Sequence, residues 1–329
     1  MHQMTLGSIV VLVFASVTLA EAPTVKNATP LLPARVAAFS PDGKVLATAL
    51  SRDITLFDAA TGKKTGQLTG HTGDIYELVF SADGKLLASS SGWSDQTARV
   101  FDVATMKQIA SLAPPGDPKT QGIYIRALGF GADGKTLITG GRALTIFSLP
   151  DGAVVKSTTV PGRENQFVLL PDRRTVVSID NDSSKLTAWD CTTGASTPVK
   201  QTPESKPTMG GNLAIVGGKK LAVASFMSNA VFLFDATTMN FERKVSPPQH
   251  LQRVGATPDG RQLVYGSWET TGDNFVAIID AASGKPRVKI GPFDKDTVFS
   301  MALVSPDGKT LAAVVNEGAK PAMLWHLGQ

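Results

Sequence analysis

Apolar residues in this chain fall in short runs separated by polar turns. "VAAF" (36–39), "ELVF" (77–80) and "MALV" (301–304) stand just before turns, while "KVLATAL" (44–50) and "DITLF" (53–57) follow one. These segments alternate apolar with polar residues or run apolar in β-branched ones, which is the habit of strands. No stretch carries the competing periodicity of a helix, so the pattern predicts an all-β chain of short strands.

The turns repeat. "SPDGK" (40–44) returns as "SADGK" (81–85), "GADGK" (131–135), "LPDRR" (170–174), "VGGKK" (216–220), "TPDGR" (257–261) and again "SPDGK" (305–309). Proline presets the first turn dihedral, aspartate suits the next position, and glycine supplies φ > 0, so each copy folds the chain back as a hairpin. A second mark follows each turn: "LFDAATG" (56–62), "VFDVATM" (100–106), "IFSLPDG" (146–152), "AWDCTTG" (188–194), "LFDATTM" (233–239), "IIDAASG" (278–284) and "LWHLGQ" (324–329). In it the aspartate caps its own turn and the glycine releases the chain into another hairpin. Each of the seven periods therefore reads as four short antiparallel strands.

A period with these two marks resembles the WD40 β-propeller family, in a degenerate form like that of exported bacterial proteins. The resemblance covers nearly everything after the first twenty residues. The fullest copy is "GHTGDIYELVFSADGKLLASSSGWSDQTARVFD" (70–102), and a true Trp-Asp dipeptide occurs at Trp189-Asp190. The resemblance implies a single seven-bladed propeller of four-stranded antiparallel blades, at about 36–70, 71–113, 124–161, 164–200, 209–246, 251–292 and 297–329. It also implies a structural network of His71, Asp95, Thr97 and Phe101 in the second blade and Trp189 in the fourth. The other periods lack the Gly-His pair, so the family's Asp-His-Ser-Trp network is complete in at most one blade. The last period is one strand short, and the segment 23–32 is expected to supply that strand and close the ring. The two SPDGK copies then become neighbours, and free sheet edges are hidden.

The first twenty residues stand outside this scheme. "LGSIVVLVFASVTLA" (6–20) is apolar and uncharged, yet short against the roughly 20 residues of a membrane span. It suits the core of a secretory signal, with Thr18 and Ala20 before a cut, although no Lys or Arg precedes it. The expectation is an exported protein, periplasmic or extracellular, with a retained anchor as the alternative and the only membrane contact.

Composition excludes more than it suggests. The chain has 42% hydrophobic and 18% charged residues, the balance of a folded protein. A net charge of +4 without basic runs gives no nucleic-acid footprint. One cysteine rules out an internal disulfide and a cysteine zinc site, and four scattered histidines supply no metal cluster. Along the strands before each turn, which line the axis of a propeller, only Glu77 is ionisable. No paired carboxylates, clustered histidines or serine-nucleophile motif appear, so neither catalytic residues nor a cofactor are expected. Cys191 reads as a passive thiol, His326 as a surface residue, and "DNDSS" (180–184) as a turn rather than a calcium loop. Asn27 and Asn181 fit a glycosylation sequon.

What remains is surface. In the WD40 arrangement the interblade loops and the second hairpin of each blade share one face. There the sequence places Trp93 in "SSGWSDQT" (90–97), Trp268 in "GSWETTGDN" (266–274) and Tyr124 at the end of "APPGDPKTQGIYIR" (113–126). Counting seven back from the turn aspartates adds Arg35, Tyr76, Arg126 and Gln252, with Arg253 alongside. Trp, Tyr and Arg are the types that anchor interfaces. The expectation is a monomeric, non-enzymatic scaffold that binds a protein or peptide on this face. A periplasmic propeller enzyme, lactonase-like or quinoprotein-like, and a carbohydrate-binding propeller are the alternatives.

Overall fold

The computed structural model describes residues 28–327, apart from 93, 117–124, 161–163, 181, 205, 208–211, 226, 248–250, 258, 268–273, 294 and 316–319. Within them every regular element is a strand. The strands form seven four-stranded antiparallel sheets: residues 36–68, 75–112, 127–159, 164–198, 212–245, 251–293, and 299–326 joined by Thr29–Pro33. These are blades one to seven, and in each the strand that precedes the recurring turn is innermost.

The sequence pattern explains why the sheets stand around an axis. Strands of the middle ladder are apolar on both faces, because each blade is sandwiched between two others. In the third strand of blade five, Ala230–Asp235, Val231 and Leu233 pack toward blade six while Phe232 and Phe234 pack toward blade four. Seven buried apolar clusters result, one at every junction of consecutive blades, the junction of blades seven and one included. Outer strands alternate instead: Phe241–Val245 keeps Glu242 and Lys244 exposed.

Ring closure uses the N-terminal strand, centred slightly later than the sequence suggested. Thr29 pairs with Leu324, Pro30 with Met323 and Pro33 with Pro321, while Leu31 is buried between blades seven and one. Residues 23–27 of the expected segment, with the sequon at Asn27, lie outside the described residues, as does the apolar stretch 6–20. Two prolines in one strand fit its place at the outer edge, where no further ladder bond is required.

The recurring turns of blades one, two, six and seven are built alike. In the first, the Ser40 hydroxyl donates to Asp42 at 2.6 Å and accepts from the Val45 amide at 2.9 Å, while Gly43 N–H donates to the Ser40 carbonyl. The second mark is an aspartate-capped turn: Asp58 accepts from the Thr61 amide at 2.8 Å and hydroxyl at 2.7 Å. The two SPDGK turns do meet, since a Cβ built on Gly43 would lie 3.6 Å from Asp307 Cγ.

Candidate functional site

The ends of the inner strands away from the SPDGK-type turns form the loop-side rim. At the junction of blades one and two, Arg35 Nη1 donates to Asp74 at 3.2 Å, and its guanidinium lies 4.7 Å from the centre of the Tyr76 ring. The Arg35 side chain keeps 33% of its accessibility and Asp74 49%. Tyr76 owes its aim to a β-bulge: the ladder slips between Ile75 and Glu77, so Tyr76 is the extra residue. The loop beneath is fastened by Ser91, whose hydroxyl donates to the Asp74 carbonyl at 2.8 Å. A cation stacked on an aromatic ring and held by a carboxylate is a preorganised contact group.

The other rim candidates divide into two groups. Arg126 enters blade three as Arg35 enters blade one, each donating its amide to a carbonyl of the next strand (Gly140 and Ala49), and its side chain is exposed. Gln252 and Arg253 lie in a comparable slip of the blade-six inner strand, between Leu251 and Val254, but their side chains lie outside the described residues. Trp93, Tyr124 and Trp268 also lie outside them. The structure thus joins Arg35 to Tyr76, and adds Asp74, which the sequence reading passed over. No local signal marks Asp74, because its partner is 39 residues away and reaches it only through the packing of two blades.

Behind the rim lies the buried network of blade two. His71 Nδ1 is 2.7 Å from Asp95, and Nε2 is 2.7 Å from the hydroxyl of Ser89. Asp95 also accepts from the Thr72 amide and the Thr97 hydroxyl, with Arg99 at 3.6 Å. Burial lowers the His71 pKa against the opposing pull of Asp95. Burial raises that of Asp95, but the bonds from Thr97, Thr72 and His71 outweigh it and hold the carboxyl below its ordinary value.

Phe101, fully buried where the family's network has tryptophan, has no N–H to offer Ser89. The missing half appears in blade four, where Trp189 Nε1 donates to the Ser178 hydroxyl at 2.9 Å. Ser89 and Ser178 are equivalent, each two residues beyond the ladder partner of the aromatic, Leu87 for Phe101 and Val176 for Trp189. In blade six the same place holds Tyr265, buried at 1% exposure, whose hydroxyl has no partner among the described residues.

Inside the ring the inner strands enclose an axial cavity of about 670 Å³. Most of its lining side chains are apolar, Val79, Leu128, Val168, Ile215 and Leu303 among them, with Gln166 and Asn212 as polar members and, among the described residues, Glu77 toward the rim and Arg173 at the turns as charged ones. Asn212 ties three blades together across it, donating to Gln166 Oε1 at 3.3 Å and accepting from the Val254 amide at 3.2 Å. Among the described residues no group of three or more His, Cys, Asp or Glu is placed to hold a metal ion. Cys191 is buried and its thiol is pushed up to about 11, chiefly by burial, which suppresses the reactive thiolate. His326 is exposed, and Asp180 closes the 180–184 segment as a turn by accepting from the Ser183 amide at 2.6 Å.

Seven four-stranded blades around an axis, with a histidine–aspartate–serine network locking one of them, define the class as β-propeller. Residues 62–102 match the family model described as "WD domain, G-beta repeat", so the propeller carries a repeat of WD40 type there. It is 44% identical over 77 residues to WD repeat-containing protein 1 of Xenopus tropicalis, covering 22% of this chain and 12% of that protein. An uncharacterised WD repeat-containing protein of Synechocystis is 32% identical over 31% of this chain and 28% of its own length. Human apoptotic protease-activating factor 1 is 27% identical over 42% of this chain and 12% of its own. The matched stretches span less than a third of each of these relatives.

Proposed function

We propose that this propeller is a non-enzymatic scaffold that binds a protein or peptide partner on its loop-side rim. The observation that carries the reading is the Arg35–Tyr76 pair, stacked at 4.7 Å and held by Asp74 on a bulged strand end. Such a group is stiff before a partner arrives, so little side-chain entropy is lost on contact. Arginine and tyrosine are also the types that dominate interface energetics. The likeness to WD-repeat proteins supports the same reading, since propellers of this family generally mediate protein interactions. Export of the mature chain, drawn from the apolar segment 6–20, is part of the proposal.

The test is affinity capture from the host's envelope fraction, followed by purification of the captured partner and titration against wild type, Arg35→Ala and Tyr76→Ala. Each variant is expected to weaken binding by about 2 kcal/mol, roughly thirtyfold, with the fold intact by circular dichroism. Unchanged affinity in both folded variants would move the interface off this rim.

A further inference from the structure

The turn-side mouth of the axial cavity departs from the rest of the ring in two ways. The first is Arg173. Five of the recurring turns place glycine at their left-handed position: Gly43, Gly84, Gly134, Gly260 and Gly308, with φ between 64° and 73°. Blade four writes "LPDRR" there, and Arg173 takes φ 52° despite its side chain. A left-handed non-glycine residue costs about 1 kcal/mol or more. The conformation carries the guanidinium onto the cavity lining, where Nη1 donates to the Phe130 carbonyl of blade three at 3.2 Å. That contact uses one of five N–H groups.

The second departure is the neighbouring turn. Blade five replaces the six-residue turn with the three residues Gly217-Gly218-Lys219. Gly218 borders a cleft of about 430 Å³ between blades four and five, walled by Val199, Ala236 and Met239. Leu170, Pro171 and Gly218 line both cavities. Asp172 also lines the cleft, but its carboxylate is turned onto its own turn, accepting from the amides of Arg174 and Thr175 and the Thr175 hydroxyl. Lys200 adds a second cation to the cleft wall. A cavity of 670 Å³, lined mostly by apolar side chains, thus opens beside a guanidinium held at a backbone cost.

We propose that this mouth binds an apolar chain ending in a carboxylate, the chain lying in the axial cavity and the carboxylate on Arg173. The wall removes the chain from water, and the planar guanidinium matches a carboxylate with two parallel bonds. The site lies at the opposite ends of the inner strands from the rim assigned to a protein partner, and it does not depend on that assignment. Two sources share the chemistry: a free alkyl carboxylic acid, and a polypeptide C-terminus whose last side chain is apolar.

The experiment is isothermal titration of the full-length chain with octanoate, octanol and octylammonium. A further pair of probes is a pentapeptide ending in leucine, with its terminus free or amidated. Octanoate is expected to bind at one site per chain, about tenfold or more tighter than octanol, the margin expected of a charge-assisted pair. Arg173→Gly should abolish that preference while folding normally, because glycine is what five sister turns use, and Arg173→Lys should recover part of it. Glu77→Gln, at the other end of the cavity, should leave it unchanged. A free peptide that binds more tightly than both octanoate and its amidated form would identify a protein terminus as the source. Octanoate ahead of both peptides would identify a small acid. Equal binding of octanoate and octanol, a preference for octylammonium, no binding by any probe, or an unaltered preference in Arg173→Gly would overturn the proposal.

Discussion

In the second blade, Asp95 and the Nδ1 of His71 lie 2.7 Å apart, with side-chain exposures of 2% and 1%. This pair fastens the loop entering the blade to the hairpin between its second and third strands. It also makes the blade sensitive to protons. The His71 pKa is lowered from 6.5 by burial, so the folded state favours the neutral ring while the unfolded chain takes up a proton more readily.

Stability is therefore expected to fall as the pH drops below 6.5 toward the lowered folded-state value of His71. The slope of a single site is at most about 1.4 kcal/mol per pH unit. The turn aspartates are held below 3.8 by their own-turn hydrogen bonds and contribute losses only at lower pH, which leaves this window to the histidine. Urea unfolding at pH 7.5 and 5.5 should show the loss in wild type and a reduced loss in His71→Asn. Parallel curves for the two proteins would assign the pH response elsewhere.

Trp189 and Phe101 occupy equivalent places with different hydrogen bonding. Trp189→Phe removes the donor to Ser178 and leaves a small void, at an expected cost of about 1–2 kcal/mol. Phe101→Trp is expected to destabilise as well, by about 1–3 kcal/mol, because its site at 1% exposure is already filled. Chemical denaturation of the two variants checks both, and a gain in stability for Phe101→Trp would show that blade two has room for the complete network.

Removal of residues 1–33 deletes the closing strand and uncovers the edge of Pro321–His326. Leu31, at 7% exposure, leaves the cluster shared by blades seven and one. The truncated chain is expected to melt at least several degrees lower and to self-associate through the bare edge. Calorimetry with size-exclusion chromatography tests this, and an unchanged monomer with an unchanged Tm would mean that the cluster alone holds the ring.

Much of this molecule is legible in one dimension because its information is local. The Ser-x-Asp-Gly turns satisfy their hydrogen bonds within six residues, as Ser40, Asp42 and Val45 do. Three Ser-x-Asp-Gly turns and four variants of them mark seven blades without knowledge of any long-range contact. The His71–Asp95–Thr97 group was readable because one repeat matches the family closely. Its completion by Ser89 and its division with Trp189–Ser178 were not, since serine is common in strands and only the ladder register shows equivalence.

The candidate sites were legible in smaller part. Arg35 and Tyr76 were found by counting back from the turn, yet the bulge that aims Tyr76 and the carboxylate that holds Arg35 depend on strand pairing and blade packing. Arg173 reads as an ordinary deviation from a turn pattern until the ring places it at the axis beside Phe130. The chain's own pattern, then, determined strand, turn, repeat number and the apolar character of both faces of each blade, because these follow from neighbours a few residues apart. Closure of the ring decided the rest. Only when the last blade meets the first do seven inner strands share one axis, and residues from different repeats acquire a common surface.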